Sequence, residues 1–292
     1  MIIDYTLLTI ICGTALLGCT AGLLGIFVLL RKQSLLGDTI AHAALPGIAI
    51  TFLLTHSKNP ALLLLGGSLT SSIAIWFMSL ITRKTHLKKD TAMGIVLSVF
   101  FGAGLVLMTI IQKKPIPHQS ILNKFLFGNA STLLPFDLLL IGGVSILFTF
   151  ILLYLWKPFK LISFDPHFAH SIGYYPERAQ FILTTLVIIT VVLGLQTVGV
   201  ILMSTMLIAP AAAARQWTTR IEQMAPLAAL LGTIAAVAGS LMSSTVAQLP
   251  TGPVIVVILT SFVFISLVFA PQNQKRFAKK FRINIQKEKA AP

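Results

Sequence analysis

Residues 5–30 read YTLLTIICGTALLGCTAGLLGIFVLL, a stretch of the chain without a single charged side chain. A helix needs about 20 apolar residues to cross the hydrocarbon core of a bilayer, so this stretch is long enough for one crossing. Asp4 is the only charge before it, and without a basic segment there we expect a retained first span and not a cleaved signal peptide.

Similar apolar stretches fill most of the remaining chain. Single crossings are predicted at residues 38–54, 60–82, 91–112 and 133–156. Residues 179–214 and 223–274 are charge-free and long enough for two crossings each. The first stretch is broken near residues 196–199, and prolines and glycines break the second at residues 249–253. We expect an all-α, polytopic helical membrane protein with nine transmembrane helices, or eight if residues 179–214 form one bent element.

The composition leaves no room for a soluble domain. Of the 292 residues, 56% are hydrophobic and only 10% are charged, whereas charged residues make up about a quarter of soluble domains. We therefore expect one transmembrane domain over residues 1–272, followed by a basic cytoplasmic tail over residues 273–292. The net charge of +14 does not indicate nucleic-acid binding, because the basic residues lie in short gaps between apolar stretches.

These basic residues predict the orientation in the membrane. With nine crossings and a cytoplasmic C-terminus, only four of the 22 lysines and arginines fall outside the cell: Lys58, Lys113, Lys114 and Lys124. Because cytoplasmic loops carry the excess of positive charge, we expect an N-terminus outside and a C-terminus inside the plasma membrane. The tail after residue 275 could lie on anionic lipid headgroups, but we favour a solvated tail that only fixes the topology.

The two cysteines, Cys12 and Cys19, lie on one face of the first span, about 10 Å apart along the helix axis. This separation is too great for a disulfide, so both are expected to be buried packing residues.

Asp38 and His42 are the first candidate site residues. Four positions apart, they share one face of the predicted second helix, and a carboxylate with an imidazole can ligate a divalent transition metal. In the alternative interpretation Asp38 caps the helix, because Gly37 precedes it, and His42 binds a neighbouring carbonyl. Two ligands are too few for a tight site, so other spans, a second copy of the chain or water must supply the rest.

A second candidate lies in a predicted cytoplasmic loop. Asp165 suits a helix N-cap, Pro166 the first helical position and Gly173 the stop, which predicts a helix of about two turns. Phe168 and Ile172 share one side of that helix. Exposed apolar residues at this place indicate either a docking element for a partner protein or an interfacial helix that lies on lipid.

A third segment, residues 194–200, contains two glycines and is followed by Pro210. Broken helices at membrane depth often line transport pathways, but for these glycines we favour close packing between spans. The chain contains no Gly-x-x-x-x-Gly-Lys-Ser/Thr loop, so any ATP dependence has to come from another subunit.

Several of these stretches resemble the zinc/manganese/iron family of ATP-binding-cassette importer permeases. The most specific is residues 29–47, LLRKQSLLGDTIAHAALPG; residues 195–200 and 209–215 are also similar. Residues 165–173 resemble the family's coupling segment, and residues 249–252 resemble its turn before the last span. The likeness covers nearly the whole chain.

The resemblance implies a fold like that of type II importer permeases and a transport subunit that is not itself an enzyme. It implies a second permease, identical or closely related, two cytoplasmic ATPase subunits and an extracytoplasmic metal-binding protein. The cargo would be manganese, zinc or iron, passed near Asp38 and His42 by alternating access, with no permanently bound cofactor. The coupling residues would be Asp165, Pro166, Phe168, Ile172 and Gly173.

Two alternatives share the membrane architecture. A permease for cobalamin, haem or siderophores would have a wide, mostly uncharged pathway and would not require Asp38 with His42. A secondary carrier driven by an ion gradient would need carboxylates in mid-span, whereas nearly all acids of this chain lie at predicted span ends.

Overall fold

A computed structural model of the chain describes residues 5–56, 59–113, 125, 128, 135–245 and 250–270. Within these residues the chain forms helices and no strand. The helices are α1 (Tyr5–Leu30), α2 (Leu36–Thr55), α3 (Pro60–Lys84), α4 (Lys89–Lys113), α5 (Pro135–Tyr154), α6 (Trp156–Phe164), α7 (Pro166–Ser171), α8 (Pro176–Gly194), α9 (Val200–Trp217), α10 (Ile221–Thr245) and α11 (Thr251–Phe269).

Eight of these helices, α1 to α5, α8, α10 and α11, are long and apolar enough to cross a membrane. The expected all-α, polytopic fold is therefore confirmed, with eight spans of that kind in the described residues. Helix α9 has 18 residues. Just before its first turn, the carbonyl of Val198 lies against Gly252 at the start of α11. At its other end, Trp217 donates a hydrogen bond to Ser266 near the end of α11. Helix α9 thus runs alongside α11 over most of its length.

One end of the bundle collects many of the basic residues, and we call it the basic end. It is marked by two ion pairs, Arg83 of α3 with Glu177 of α8 at 3.7 Å and Lys160 of α6 with Glu222 of α10. The last turns of α1 and α3 and the first turns of α8 and α10 meet here, as expected for alternating antiparallel crossings.

Helices α1 and α10 pack with their backbones in close contact. A Cβ atom at Gly22 would lie 2.5 Å from the carbonyl oxygen of Ala228, so only glycine fits at this crossing. Nearby, the hydroxyls of Thr14 and Ser240 share a buried hydrogen bond of 2.9 Å. Small residues and hydroxyl pairs of this kind hold helices together where lipid offers no hydrophobic driving force.

The break between α8 and α9 lies at residues 195–199, as the sequence predicts, and its residues are buried. Its backbone remains bonded: Val198 N–H donates to the carbonyl of Gly194 at 3.0 Å, and Gly199 N–H donates to Leu195 at 3.1 Å. Backbone groups at membrane depth must be satisfied internally, and these bonds meet that requirement. A Cβ at Gly194 would meet the sulfur of Met203 at 2.3 Å, in agreement with the packing role favoured for this glycine.

The expected span over residues 133–156 corresponds to α5, and a separate short helix that the sequence analysis did not predict follows it. Helix α5 ends at Tyr154, and the separate helix α6 begins at Trp156. Pro158 lies in the first turn of α6 and has no N–H to donate to the carbonyl of Tyr154, which ends the longer helix. Both cysteines are free thiols, as their separation predicts, but Cys12 is exposed and Cys19 only partly buried, so the expectation that both are buried packing residues is wrong. The predicted tail over residues 273–292 lies outside the described residues.

Candidate functional site

Asp38 lies in the first turn of α2, which begins at Leu36 after a tight turn from the end of α1. The N-cap residue is Leu35, and its side chain makes no capping hydrogen bond. The alternative in which Asp38 itself caps the helix is therefore wrong. The Asp38 carboxylate lies among the free N–H groups of the first turn, where the helix dipole favours a negative charge.

His42 lies one turn further along the same face of α2, and its position is unusual. Its Nδ1 atom is buried and has no hydrogen-bond partner in the described part of the chain. The ring meets Phe101 of α4 edge to face, with centroids 4.5 Å apart. Nδ1 therefore does not take the carbonyl partner that the alternative interpretation assigns to His42. A buried polar atom without a partner costs about 1–3 kcal/mol, which calls for a functional explanation.

A proline adds a third polar atom near this pair. Pro46 lies inside α2 and has no N–H, so the carbonyl oxygen of His42 loses its usual helical partner. Helix α4 approaches this point closely, because a Cβ atom at Gly104 would lie 2.8 Å from the Cβ of Leu45. The same turn of α2 thus presents an unpaired imidazole nitrogen and a carbonyl oxygen released by proline.

The rest of α2 is held rigidly among its neighbours. Its middle is buried from Ala43 to Ala49. The Ser71 hydroxyl of α3 donates to the carbonyl of Ile40 at 2.9 Å, and the Thr39 hydroxyl donates to Leu35 at 2.9 Å. Side chains that bind a passing ligand need such a fixed frame to keep their geometry.

One chain does not complete a metal site. Among the residues that the structure describes, no three His, Cys, Asp or Glu side chains come together as a ligand group. We call the two candidate ligands, Asp38 and His42, the half-site, and the sequence analysis predicts that any remaining ligands come from other spans, a second copy or water.

The predicted coupling segment forms the short helix α7. The Asp165 carboxylate accepts hydrogen bonds from the backbone N–H groups of His167 and Phe168, both at 3.0 Å, and Pro166 occupies the first helical position. The predicted N-cap and first turn are both confirmed, and the helix is six residues long.

The end of α7 is also fixed by its backbone. Gly173 has a φ of +90°, in the left-handed region that favours glycine, and its N–H donates to His170 at 3.0 Å. Tyr174 N–H donates to Ala169 at 3.1 Å, which completes a Schellman motif. The predicted stop at Gly173 is confirmed.

Helix α7 presents apolar side chains to its surroundings. Phe168 and Ile172 are each 52% exposed, while Ala169 between them is fully buried. Phe164 and Tyr175, which flank the helix, are each 62% exposed. The helix is thus anchored by one small residue and carries an apolar patch of four side chains, which we call the α7 patch: Phe164, Phe168, Ile172 and Tyr175.

Helix α6 connects this patch with the bundle, and its role was not expected from the sequence. Phe159 is fully buried and meets Phe27 of α1 edge to face, at a centroid distance of 5.8 Å. Trp156 meets the same ring at 5.5 Å, and Lys160 pairs with Glu222 of α10. The sequence signal that could have revealed α6 is Pro158 with apolar residues at helical spacing around two lysines.

Comparison with known proteins gives one consistent family. The ABC-3 family, described as the ABC 3 transport family, matches residues 3–270. The chain is 46% identical over 270 residues to the zinc transport system membrane protein TroC of Treponema pallidum (strain Nichols), covering 92% of this chain and 91% of that protein. It is 44% identical over 264 residues to the manganese transport system membrane protein MntC of Bacillus subtilis (strain 168), covering 90% of this chain and 61% of that relative.

The fold has a close match among solved structures. PsaBC from Streptococcus pneumoniae in complex with Fab superposes with a TM-score of 0.83 at 29% sequence identity. The superposition covers 94% of this chain and 95% of the other.

Proposed function

Because the chain belongs to the ABC 3 transport family, we propose that it is the membrane permease subunit of an ATP-driven importer of divalent transition-metal ions. Relatives of the chain include one protein of a zinc transport system and one of a manganese transport system. The observation that carries the proposal is the buried, unpartnered Nδ1 of His42 on the same face of α2 as Asp38.

The donor set suits such a cargo. Carboxylate oxygen, imidazole nitrogen and carbonyl oxygen bind manganese, iron and zinc alike. The ion is the transported substrate and not a permanent cofactor, so a site of moderate strength is an advantage: an ion must be able to leave as well as to bind. A half-site with two protein ligands has that property.

A second permease, identical or closely related, would complete the pathway. Two facing copies of α2 would bring together two carboxylates and two imidazoles, the four protein ligands that transition metals commonly take. The half-site in one chain supports this arrangement. Nδ1 of His42 has no hydrogen-bond partner among the described residues, and no third candidate ligand of the described chain lies beside the pair.

ATP hydrolysis belongs to a separate subunit, since the chain carries no phosphate-binding loop of the Walker type. The α7 patch supplies a docking element for a cytoplasmic ATPase. Its helix is capped at both ends, so its two exposed apolar side chains, Phe168 and Ile172, keep their orientation relative to each other when the partner shifts the helix. Asp165, Pro166 and Gly173 hold the helix and do not need to touch the partner themselves.

The orientation follows from charge. The basic end of the bundle faces the cytoplasm of the plasma membrane, which places the N-terminus outside and the C-terminus inside. The transmembrane domain covers residues 1–272, and the basic tail of residues 273–292 extends into the cytoplasm. An extracytoplasmic metal-binding protein would deliver the ion at the opposite end.

Transport proceeds by alternating access. Movement of the ATPase shifts α7, and α6 passes the shift to Phe27 near the end of α1. A short turn of residues 31–35 joins α1 to Asp38 in the first turn of α2. The half-site lies close to the basic end and acts as the last polar stop before release.

The proposal is tested by metal uptake with the whole transporter assembled. Asp38→Asn and His42→Ala are each expected to abolish accumulation of radioactive manganese or zinc in cells, while the permease still co-purifies with its ATPase. The chain offers matched controls: Asp90 also lies in a first helical turn, and His86 lies in an exposed loop. Asp90→Asn and His86→Ala are expected to transport normally.

Unchanged metal uptake in both Asp38→Asn and His42→Ala would remove the half-site from the mechanism. If the wild-type transporter instead took up a metal chelate and not the free ion, the cargo would be that of a cobalamin, haem or siderophore permease.

Docking of the ATPase is tested separately. Phe168→Asp and Ile172→Asp are expected to abolish co-purification of the ATPase, whereas Phe168→Leu preserves it because the apolar contact remains. Leu87, an apolar residue 43% exposed in the loop after α3, provides the matched control as Leu87→Asp. Retained co-purification in both aspartate variants would show that the α7 patch is not the docking element.

A further inference from the structure

A groove runs along the outside of the bundle between α1, α5 and α10, and none of these helices carries Asp38 or His42. Near the basic end it forms a cavity of about 720 Å³, whose lining includes Leu23, Ala225 and Pro226. A second cavity of about 300 Å³ continues it toward the membrane centre, between Leu16, Thr20, Ser145, Thr149 and Phe150. Leu153 lines both cavities, so we treat them as one feature, the α1–α5 groove.

The length of the groove matches one leaflet of a bilayer. Along α5 its lining extends from Ser145 to Tyr154, about 14 Å at the helical rise of 1.5 Å per residue. The hydrocarbon core of a bilayer is about 30 Å thick, so half of it is about 15 Å. The groove therefore has the length of a single acyl chain that lies parallel to the helices.

The mouth of the groove has the chemistry of a membrane interface. Tyr154, Trp156 and Lys157 line it at the basic end. Aromatic residues with a polar edge are enriched at the level of lipid headgroups, and an amphipathic helix such as α6 lies in that plane. Trp156 also packs on Phe27, which fixes the indole at this level.

The charges at the mouth favour an anionic headgroup. Glu222 lines the same cavity, but its carboxylate is paired with Lys160. Lys157 is exposed and forms no ion pair with any residue of the described chain. The mouth thus presents the ammonium group of Lys157 without a carboxylate partner in the described chain, next to the apolar lining of the α1–α5 groove.

From these features we propose that the α1–α5 groove is a binding site for an anionic glycerophospholipid of the cytoplasmic leaflet. One acyl chain lies between α1 and α5 from Leu153 toward Thr20, and the phosphate of the headgroup lies at Lys157 beside Trp156. This site is separate from the metal pathway and does not depend on the nature of the cargo. The bound lipid would fix α6 against the bundle and thereby support the position of α7.

The test uses the full chain in detergent, incubated with mixed micelles that contain either dioleoylphosphatidylglycerol or dioleoylphosphatidylcholine. Native mass spectrometry counts the lipids that remain bound. The parent protein is expected to retain phosphatidylglycerol in preference to phosphatidylcholine. Lys157→Gln is expected to lower the affinity for phosphatidylglycerol about fivefold, the factor for one lysine near an anionic surface, and to leave phosphatidylcholine unaffected.

A second variant tests the slot itself. Thr149→Phe fills the groove and is expected to lower retention of both lipids. Leu147 lies on the same helix, 53% exposed and about 200° around from Thr149, so Leu147→Phe is a matched control that leaves retention unchanged. Lys88→Gln, in an exposed loop, is the matched control for the charge change.

Three results would overturn the proposal. The first is equal retention of phosphatidylglycerol by the parent, Lys157→Gln and Thr149→Phe. The second is displacement of the lipid by inorganic phosphate alone, which would show that the site binds an anion and that the α1–α5 groove does not hold an acyl chain. The third is dissociation of a permease pair by Thr149→Phe, which would show that a second copy of the chain occupies the groove.

Discussion

Replacement of His42 by leucine is expected to stabilise the folded protein and at the same time abolish metal uptake. The buried Nδ1 without a partner costs about 1–3 kcal/mol, and leucine removes that cost. Leucine also loses the edge-to-face contact with Phe101, which is worth about 0.5–1.5 kcal/mol. The expected net gain in the free energy of unfolding is about 1 kcal/mol. A purely structural histidine would not show this gain in stability together with a loss of metal uptake.

The assay has two arms. Unfolding is measured in detergent micelles with a chelator present, for the parent, His42→Leu and His42→Ala. The alanine variant leaves a cavity beside Phe101 and is expected to lose about 2 kcal/mol. In the second arm manganese is added, and the parent is expected to gain up to about 2.7 kcal/mol at a hundredfold excess over the dissociation constant, whereas His42→Leu gains nothing.

Equal destabilisation by leucine and alanine would refute this reasoning, because it would show that the imidazole is satisfied in the folded protein. Stabilisation of His42→Leu by manganese to the same extent as the parent would equally refute the role of His42 as a ligand.

Three further predictions concern the packing of the helix bundle and the short helix α7. Gly22→Ala is expected to lower the free energy of unfolding by about 1–3 kcal/mol, because the new Cβ meets the backbone of α10. Gly143→Ala has open space around it and is expected to raise the free energy of unfolding by about 0.5–1 kcal/mol. Thermal unfolding compares the two variants. Asp165→Ala removes the N-cap of α7, worth about 1 kcal/mol, and is expected to lower ATP-dependent uptake, whereas Asp165→Asn preserves uptake. Glu222→Gln breaks the exposed pair with Lys160 and is expected to leave the thermal unfolding midpoint unchanged in the same measurement, because solvent screens exposed ion pairs.

The crossings and their breaks could be predicted from the sequence, because hydropathy and proline or glycine clusters act locally. The ends of α7 could be predicted for the same reason: an N-cap aspartate, a first-turn proline and a stop glycine each act within a few residues. Helix α6 was not predicted, because a short helix with two lysines directly after an apolar span gives no signal when hydropathy alone is followed.

The state of the candidate site could not be predicted in the same way. Whether Nδ1 of His42 finds a hydrogen-bond partner depends on which face of α4 packs against α2, and no local pattern encodes that contact. The ion pair of Lys160 with Glu222 joins residues 62 positions apart and depends likewise on tertiary packing. The sequence proposes Asp38 and His42 as a pair, and the structure adds that Nδ1 of His42 is buried without a hydrogen-bond partner among the described residues.

The position of Asp38 in the first turn of a helix gives a physical reason to expect that the proposed site requires a carboxylate there and not merely an oxygen donor. The first turn of α2 carries about half a positive charge from its free N–H groups, which repels a divalent cation. The Asp38 carboxylate offsets that charge, and one turn deeper in α2 lie the His42 imidazole and the carbonyl of His42, which Pro46 leaves without its helical N–H partner. An asparagine keeps the oxygen but leaves the helix charge uncompensated. If the proposed half-site binds the cargo, Asp38 would act first by making it electrostatically accessible and only then as a ligand, so Asp38→Asn is expected to lose metal uptake even though it keeps the oxygen.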